Sequence, residues 1–244
     1  MKKAPWIAAL APLWLCTNAP VRVIVGGAPV AAEATAMDDE TILVDDFSST
    51  PARDGGTVNC LVEIPAGTTA KFEIDDHGWL RWQKDRDDGS RRGIDYLPYV
   101  VNYGMVPSTL APDGDPIDAI VLGRTIERGH LNKARVIGVL KMEQDGVRDD
   151  KLIAVPLDEP WTNGFSRLHE LGELDHAYPN VREIVWTWFA SYWGIGATHI
   201  IGWGDSGEAN EILDEAIRAR SRSPRASLAL HLRGEPRSAP HDHD

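Results

Sequence analysis

Between residues 60 and 156 the chain falls into short apolar, β-branched runs, each too brief and too sharply bounded to form a helix. They are "CLVEIP" (60–65), "AKFEID" (70–75), "IDAIVLG" (117–123), "ARVIGVLKM" (134–142) and "KLIAVP" (151–156), separated by stretches rich in Gly, Pro, Asp and Ser. In the second run Phe72 and Ile74 alternate with Lys71, Glu73 and Asp75, the two-residue period of a half-buried strand. Strands of this length and spacing suit a small barrel. The pattern then changes. "NVREIVWTWFASYW" (180–193) places Ile184, Val185, Trp188, Phe189 and Tyr192 on one helical face. "DSGEANEILDEAIRARS" (205–221) reads as a second helix, with Asp205 and Glu208 at capping-box spacing and Asp214 four residues before Arg218. Strands first and helices afterwards predict an α+β fold.

Charge narrows the partners. The net charge of −12 leaves little basic surface for a phosphate backbone, which argues against nucleic acid. An acidic protein that handles an anion commonly does so through bound cations. No apolar run is long enough to span a bilayer. Of the two cysteines, Cys16 and Cys60, the first lies in an N-terminal segment that reads as an export signal. There Lys2 and Lys3 precede "WIAALAPLWL", and small-residue sites follow at 32–36. The expected organisation is a signal peptide at 1–36, one domain at 37–220 and a disordered Ser/Pro/Arg/His-rich tail at 221–244. Export to the periplasm is the expected location, with the cytoplasm as the alternative.

The chemistry concentrates in "APDGDPIDAIVLG" (111–123). Asp113, Asp115 and Asp118 crowd together and would raise one another's pKa values unless a cation offsets them. An EF-hand is excluded, because counting from Asp113 puts Ile117 at the fifth position, Asp118 at the sixth and Arg124 at the twelfth. Pro116 stiffens the backbone between the second and third carboxylates, and Asp118 opens an apolar strand. A second acidic stretch, "DGVRDDK" (145–151), lies between two apolar runs and puts Asp149 and Lys151 on one strand face. Hard divalent cations take oxygen ligands, and Mg²⁺ characteristically shares carboxylates with phosphate groups and water. The chain has no P-loop, CxxC or HExxH pattern.

"DGDPID" followed by an apolar strand resembles the signature of the soluble family I inorganic pyrophosphatases. The likeness extends through "VEIPAGTTAKFEID" (62–75), "YVVNYGMVPSTLAPDGDPIDAIVLG" (99–123), "RVIGVLKM" with "DDKLIAVP" (135–156) and "WFASYW" (188–193), in the family's order. The resemblance implies an OB-like five-stranded β-barrel with two packed C-terminal helices. It implies hydrolysis of pyrophosphate to two phosphates with several Mg²⁺ ions, by an assembly that is a homo-oligomer. By motif, Asp113, Asp115, Asp118 and Asp149 correspond to metal ligands, and Asp115 also to the general base for the attacking water. Lys71, Arg91, Tyr103, Lys151 and Tyr192 correspond to groups that bind phosphate oxygens. Glu63 and Glu73 correspond to acidic residues near the metals, and Tyr99 to a supporting tyrosine. The chemistry is consistent: divalent cations lower the pKa of water and neutralise phosphoryl oxygens, and Lys and Arg complete the neutralisation.

Three positions depart from the family pattern. Trp193 stands where the family has Lys, which predicts weaker substrate capture. Gln144 stands where the family has a metal-binding Asp; Asp145, one residue on, is the candidate to replace it. The tandem Arg91–Arg92 is resolved in favour of Arg91 by counting twelve residues back from Tyr103. These departures motivate an alternative, a catalytically weakened barrel that binds metal or phosphate. A serine-protease reading of "IVGG" (24–27) and "GDSG" (204–207) lacks a suitably placed His and the cysteine framework, and Asp205 lies where a helix cap is expected.

Overall fold

The computed structural model describes residues 41–222, apart from 46, 86–87, 158–163 and 195. The expected signal peptide lies outside the described residues, as does the expected tail beyond Arg222. Along the described chain run β1 (Thr41–Leu43), β2 (Arg53–Asp54), β3 (Thr57–Ile64), β4 (Phe72–Ile74), β5 (Trp79–Trp82), β6 (Asn102–Met105), β7 (Asp118–Val121), β8 (Leu131–Gln144), β9 (Val147–Arg148) and β10 (Lys151–Pro156). There follow α1 (Leu171–Ala177), α2 (Val181–Ser191), β11 (Thr198–Gly204) and α3 (Ser206–Arg222). No helix among the described residues is long and apolar enough to cross a membrane.

β10 is buried at every position because both its faces are covered. Leu152 and Ala154 face a core completed by Ala209, Leu213 and Ala216 of α3. Ile153 and Val155 face a second core, shared with Leu171 and Leu174 of α1 and Val185, Trp188 and Phe189 of α2. β7 behaves alike, with Ala119 and Val121 on the first side and Ile120 on the second. A strand covered on both faces reads as a continuous apolar run rather than an alternating one.

The main sheet has the order β11-β8-β10-β7-β6-β3-β2, and β3 also pairs with β8. The pairings β8–β10–β7–β6–β3 thus lead back to β8. β7 and β10 are parallel, and the other links in that circuit are antiparallel. A separate three-stranded sheet, β1-β5-β4, turns Phe72 of the "AKFEID" run into a third core with Leu61, Leu80 and Met105.

β6 escapes a reading by periodicity, since "NYGM" has neither alternation nor β-branching. Tertiary contacts hold it. Asn102, fully buried, accepts from the N–H groups of Ala66 (3.1 Å) and Ile126 (2.8 Å) and donates to the carbonyls of Val121 (3.1 Å) and Arg124 (2.8 Å). Four hydrogen bonds satisfy its whole side-chain amide. At Gly104 a Cβ would lie 1.8 Å from the Leu61 carbonyl oxygen of β3, so only glycine allows this strand approach. Gly138 of β8 similarly leaves room for Leu171 of α1.

The two expected helices are present as α2 and α3, preceded by the short α1. On α2, Val185, Trp188 and Phe189 are buried, but Ile184 is 54 % exposed, off the stripe that faces the sheet. On α3, Asp205 Oδ1 accepts the Glu208 N–H at 2.9 Å, so "GDSG" is a helix entry. Glu208 pairs across to Lys141 (2.8 Å). Asp214 pairs with Arg53 of β2 (2.9 Å), where the local spacing pointed to Arg218.

Candidate active site

The parallel register of β7 and β10 sets Lys151 opposite Asp118 at the first residue of each strand. Lys151 is 1 % exposed, and its Nζ donates to Asp118 Oδ2 and, at 2.5 Å, to Asp149 Oδ1. Tyr103, on the neighbouring β6, donates its hydroxyl to the same Asp118 oxygen at 2.5 Å. Three strands, with the turn that leads into β10, therefore bring two carboxylates, an ammonium and a phenol together.

Asp113 and Asp115 join them from the turn that feeds β7. This turn is held from inside by Thr109, 2 % exposed, whose Oγ1 accepts from the Ile117 N–H (2.9 Å) and donates to the Val106 carbonyl (2.6 Å). The Asp115 N–H donates to Asp113 Oδ1 (3.0 Å), and the Ala111 N–H donates to the Asp115 carbonyl (2.7 Å). Asp115 itself is exposed, while Asp113 and Asp118 are half-buried.

The acidic groups act on one another. Burial first, then the charges of Asp118 and Asp149, push the Asp113 carboxyl up to about 7. Burial also raises Asp118, to about 6, against the pull of Lys151. Burial alone would lower the Lys151 ammonium, but Asp118 and Asp149 more than reverse this and hold it protonated. Glu63, 6 % exposed on β3, is raised well above the carboxylate range by burial and by Glu73, although its Oε1 accepts the Ile74 N–H at 2.8 Å. Lys71 lies 3.3 Å from Glu73 Oε1.

Aromatic rings pack beside Tyr103. Tyr99 lies 4.5 Å from Trp188 and 5.5 Å from Tyr103, and Trp188 stacks on Tyr192 at 4.7 Å. Burial raises the hydroxyls of Tyr99, Tyr103 and Tyr192, so all three remain neutral donors at physiological pH.

Not every expected residue lies in this group. Asp145 and Gly146, both with positive φ (53° and 77°), form the tip of the β8–β9 hairpin, the Asp-Gly pattern of a tight hairpin turn. The leading charges on Asp113 are those of Asp118, Asp149 and Asp115, and those on Asp118 are Lys151 and Asp149. Arg91 lies 4.6 Å from the Trp82 ring. Arg92 lies 5.3 Å from the Trp193 ring, and Lys71 Nζ is 5.2 Å from that same ring. Thr109 and Asn102 carried no sequence signal, because their work is to hold turns together through contacts distant in the chain.

Residues 60–221 match the family model for inorganic pyrophosphatase. The chain belongs to the inorganic pyrophosphatase family. An inorganic pyrophosphatase of Gluconobacter oxydans (strain 621H) is 32 % identical over 170 residues, spanning 66 % of this chain and 90 % of that one. One from Nostoc sp. (strain PCC 7120 / SAG 25.82 / UTEX 2576) is 32 % identical over 180 residues, spanning 71 % and 98 %. Among solved structures, the Thermus thermophilus inorganic pyrophosphatase superposes with a TM-score of 0.60 at 27 % identity, over 72 % of this chain and 99 % of that one. The Neisseria gonorrhoeae enzyme gives 0.58 at 29 %, over 72 % and 99 %. The matched pyrophosphatase segment contains every site residue discussed above.

The raised carboxyls of this pyrophosphatase-family site carry a prediction. Asp113, Asp118 and Glu63 bind protons more tightly in the folded than in the unfolded chain, so the fold gains stability as pH falls and loses it as pH rises through their folded pKa values. Without divalent cations the protein should therefore melt several degrees lower at pH 8 than at pH 5.5, and Mg²⁺ should narrow the gap. Calorimetric melts in chelator and in Mg²⁺ at both pH values check this; a metal-free melting point that rises with pH would contradict it.

Proposed function

We infer that this chain hydrolyses inorganic pyrophosphate to two phosphates, and that the gathering of Asp113, Asp115, Asp118, Asp149, Lys151 and Tyr103 is its active site. The observation that carries the reading is the shared oxygen of Asp118, held by Lys151 and Tyr103 at the head of two parallel strands. The donor set fits Mg²⁺: all of its acidic groups are hard oxygen ligands, and the burial and mutual repulsion that raise Asp113 and Asp118 leave the site short of positive charge. Among the described residues no three such groups yet close around one point, and the Lys151 ammonium stands between Asp118 and Asp149. Mg²⁺, held by Asp113, Asp115, Asp118 and Asp149, would supply charge neutralisation and water made acidic enough to react near neutral pH. Asp145 is a further candidate from the hairpin tip.

The chain's own groups then divide the work. Asp115, exposed at the turn, takes the proton from the attacking water as its oxygen bonds to one phosphorus and the bridging P–O bond breaks. Lys151 has three donors and uses two on Asp118 and Asp149, which leaves one for a phosphate oxygen. Lys71, Tyr192 and one guanidinium of the Arg91–Arg92 pair donate to the remaining oxygens, while Tyr103, whose one hydroxyl proton goes to Asp118, orients that carboxylate; charge-assisted bonds to phosphate contribute about 1.5–3 kcal/mol each. Glu63, Glu73 and Tyr99 hold these groups in place. We read the closed circuit β8–β10–β7–β6–β3 as the OB-like five-stranded barrel, with α2 and α3 as its two packed helices. The same reading takes 37–220 as the catalytic domain of a homo-oligomer, delivered to the periplasm by residues 1–36.

Phosphate release by the pure protein, with and without Mg²⁺, tests the function. Turnover of pyrophosphate only with divalent cation is expected; no turnover in either condition would overturn the reading. The weakened binder remains the result that such a failure would leave.

A further inference from the structure

Trp193 follows Tyr192 at the end of α2, yet its ring meets residues from more than a hundred positions earlier. Lys71 Nζ and the Arg92 guanidinium lie 5.2 Å and 5.3 Å from its ring centroid. Two like charges brought to one ring repel each other, and attraction to the indole, the strongest of the aromatic faces for cations, offsets that repulsion. A guanidinium has five N–H donors, so Arg92 can lie over the ring and still present an N–H to an oxyanion. Arg92 is also fixed from behind: its Nη1 donates to Gln83 Oε1 at 2.9 Å, and its carbonyl accepts from Trp82 Nε1 at 2.6 Å. Trp193 Nε1 is buried and meets no acceptor at full hydrogen-bond geometry among the described residues; the neighbouring Tyr192 hydroxyl, whose ionised form the Trp193 N–H favours, is its polar contact, with the two rings 5.2 Å apart. A buried donor without a well-aligned acceptor is unfavourable, and a ligand oxygen would satisfy it.

We propose that Trp193 is a positioning residue for the substrate: its ring holds Lys71 and Arg92 side by side as an oxyanion clamp, and its N–H completes the clamp as a neutral donor. Arg92, and not Arg91 on the Trp82 ring, is then the guanidinium of the site. The inference rests on the pyrophosphatase reading but concerns binding rather than turnover. It makes Trp193 a contributor to substrate capture, where the sequence alone reads it as the loss of a cation.

The test pairs kinetics with calorimetric binding of imidodiphosphate, whose P–N–P bridge replaces the P–O–P bridge of pyrophosphate, in the presence of Mg²⁺. Trp193→Leu should raise KM for pyrophosphate and Kd for imidodiphosphate about tenfold, as expected for losing about 1.4 kcal/mol of cation–ring attraction, with kcat changed much less. Trp193→Phe, which keeps a ring and removes the N–H, should fall between, and it carries the test if the leucine variant does not fold. Arg92→Gln should weaken binding, Arg91→Gln should not, and Trp193→Leu combined with Arg92→Gln should cost less than the two separate losses together. Unchanged Kd in Trp193→Leu, full additivity with Arg92→Gln, or a loss confined to Arg91→Gln would overturn the proposal. A wild type that binds imidodiphosphate without hydrolysing pyrophosphate would sink the hydrolase reading and leave the clamp standing.

Discussion

Asp115→Asn should lower kcat for pyrophosphate by about 10²–10⁴-fold, the range spanned by a general base, and leave the melting temperature close to wild type. The substitution keeps shape and removes the basic oxygen. Asp115 is exposed, so the fold does not depend on packing around its side chain. Its main chain holds the turn, through the Ala111 N–H to its carbonyl and its own N–H to Asp113 Oδ1, and both bonds survive in asparagine. Asp113→Asn is the informative companion, because Asp113 carries the raised carboxyl and accepts the Asp115 N–H. A phosphate-release assay on matched, folded samples decides the matter. Full turnover by Asp115→Asn would remove it from the role of base.

Lys151→Met should produce the largest loss of stability of any single change at the site. The side chain is 2 % exposed and faces Asp118 and Asp149, so removing the ammonium leaves two half-buried carboxylates without their cation. Breaking a buried pair in this way costs about 3–5 kcal/mol, while methionine preserves most of the packing of the lysine stem. The loss should be greatest in chelator near pH 8. It should shrink at pH 5, where Asp118 takes up a proton, and shrink again in Mg²⁺, which replaces the missing charge. Urea unfolding under the three conditions measures it. Equal stability of wild type and variant in chelator would show that Lys151 does not neutralise the pair.

How much of this was legible differs from element to element. β10 and the middle of β8, residues 136–140, were readable because strands buried on both faces must be apolar at nearly every position, a constraint written directly into composition. β6 was not, because Asn102 and Gly104 are chosen by what approaches them: four backbone groups from distant loops in one case, the Leu61 carbonyl in the other. α1 spans seven residues, too few to establish a helical period. Ile184 belongs to the apolar face drawn from spacing, but the sheet covers only the stripe through Val185, Trp188 and Phe189. Asp214 has a partner at helical spacing in Arg218 and pairs with Arg53 of β2 nonetheless, since tertiary neighbours compete with local ones.

The sequence by itself determined which chemistry is available. Asp113, Asp115 and Asp118 are close along the chain, and a turn that Gly114 allows and Pro116 stiffens makes their proximity a local property. The order of blocks around them was enough to identify the family. Tertiary structure alone decided which groups share that chemistry. Lys151 meets Asp118 because β7 and β10 are parallel and in register. Arg92 lies with Lys71 on Trp193, and Arg91 on Trp82, because neighbouring residues in an extended segment point to opposite sides. Counting residues cannot resolve that choice: a shift of one position moves a cation from one side of the chain to the other.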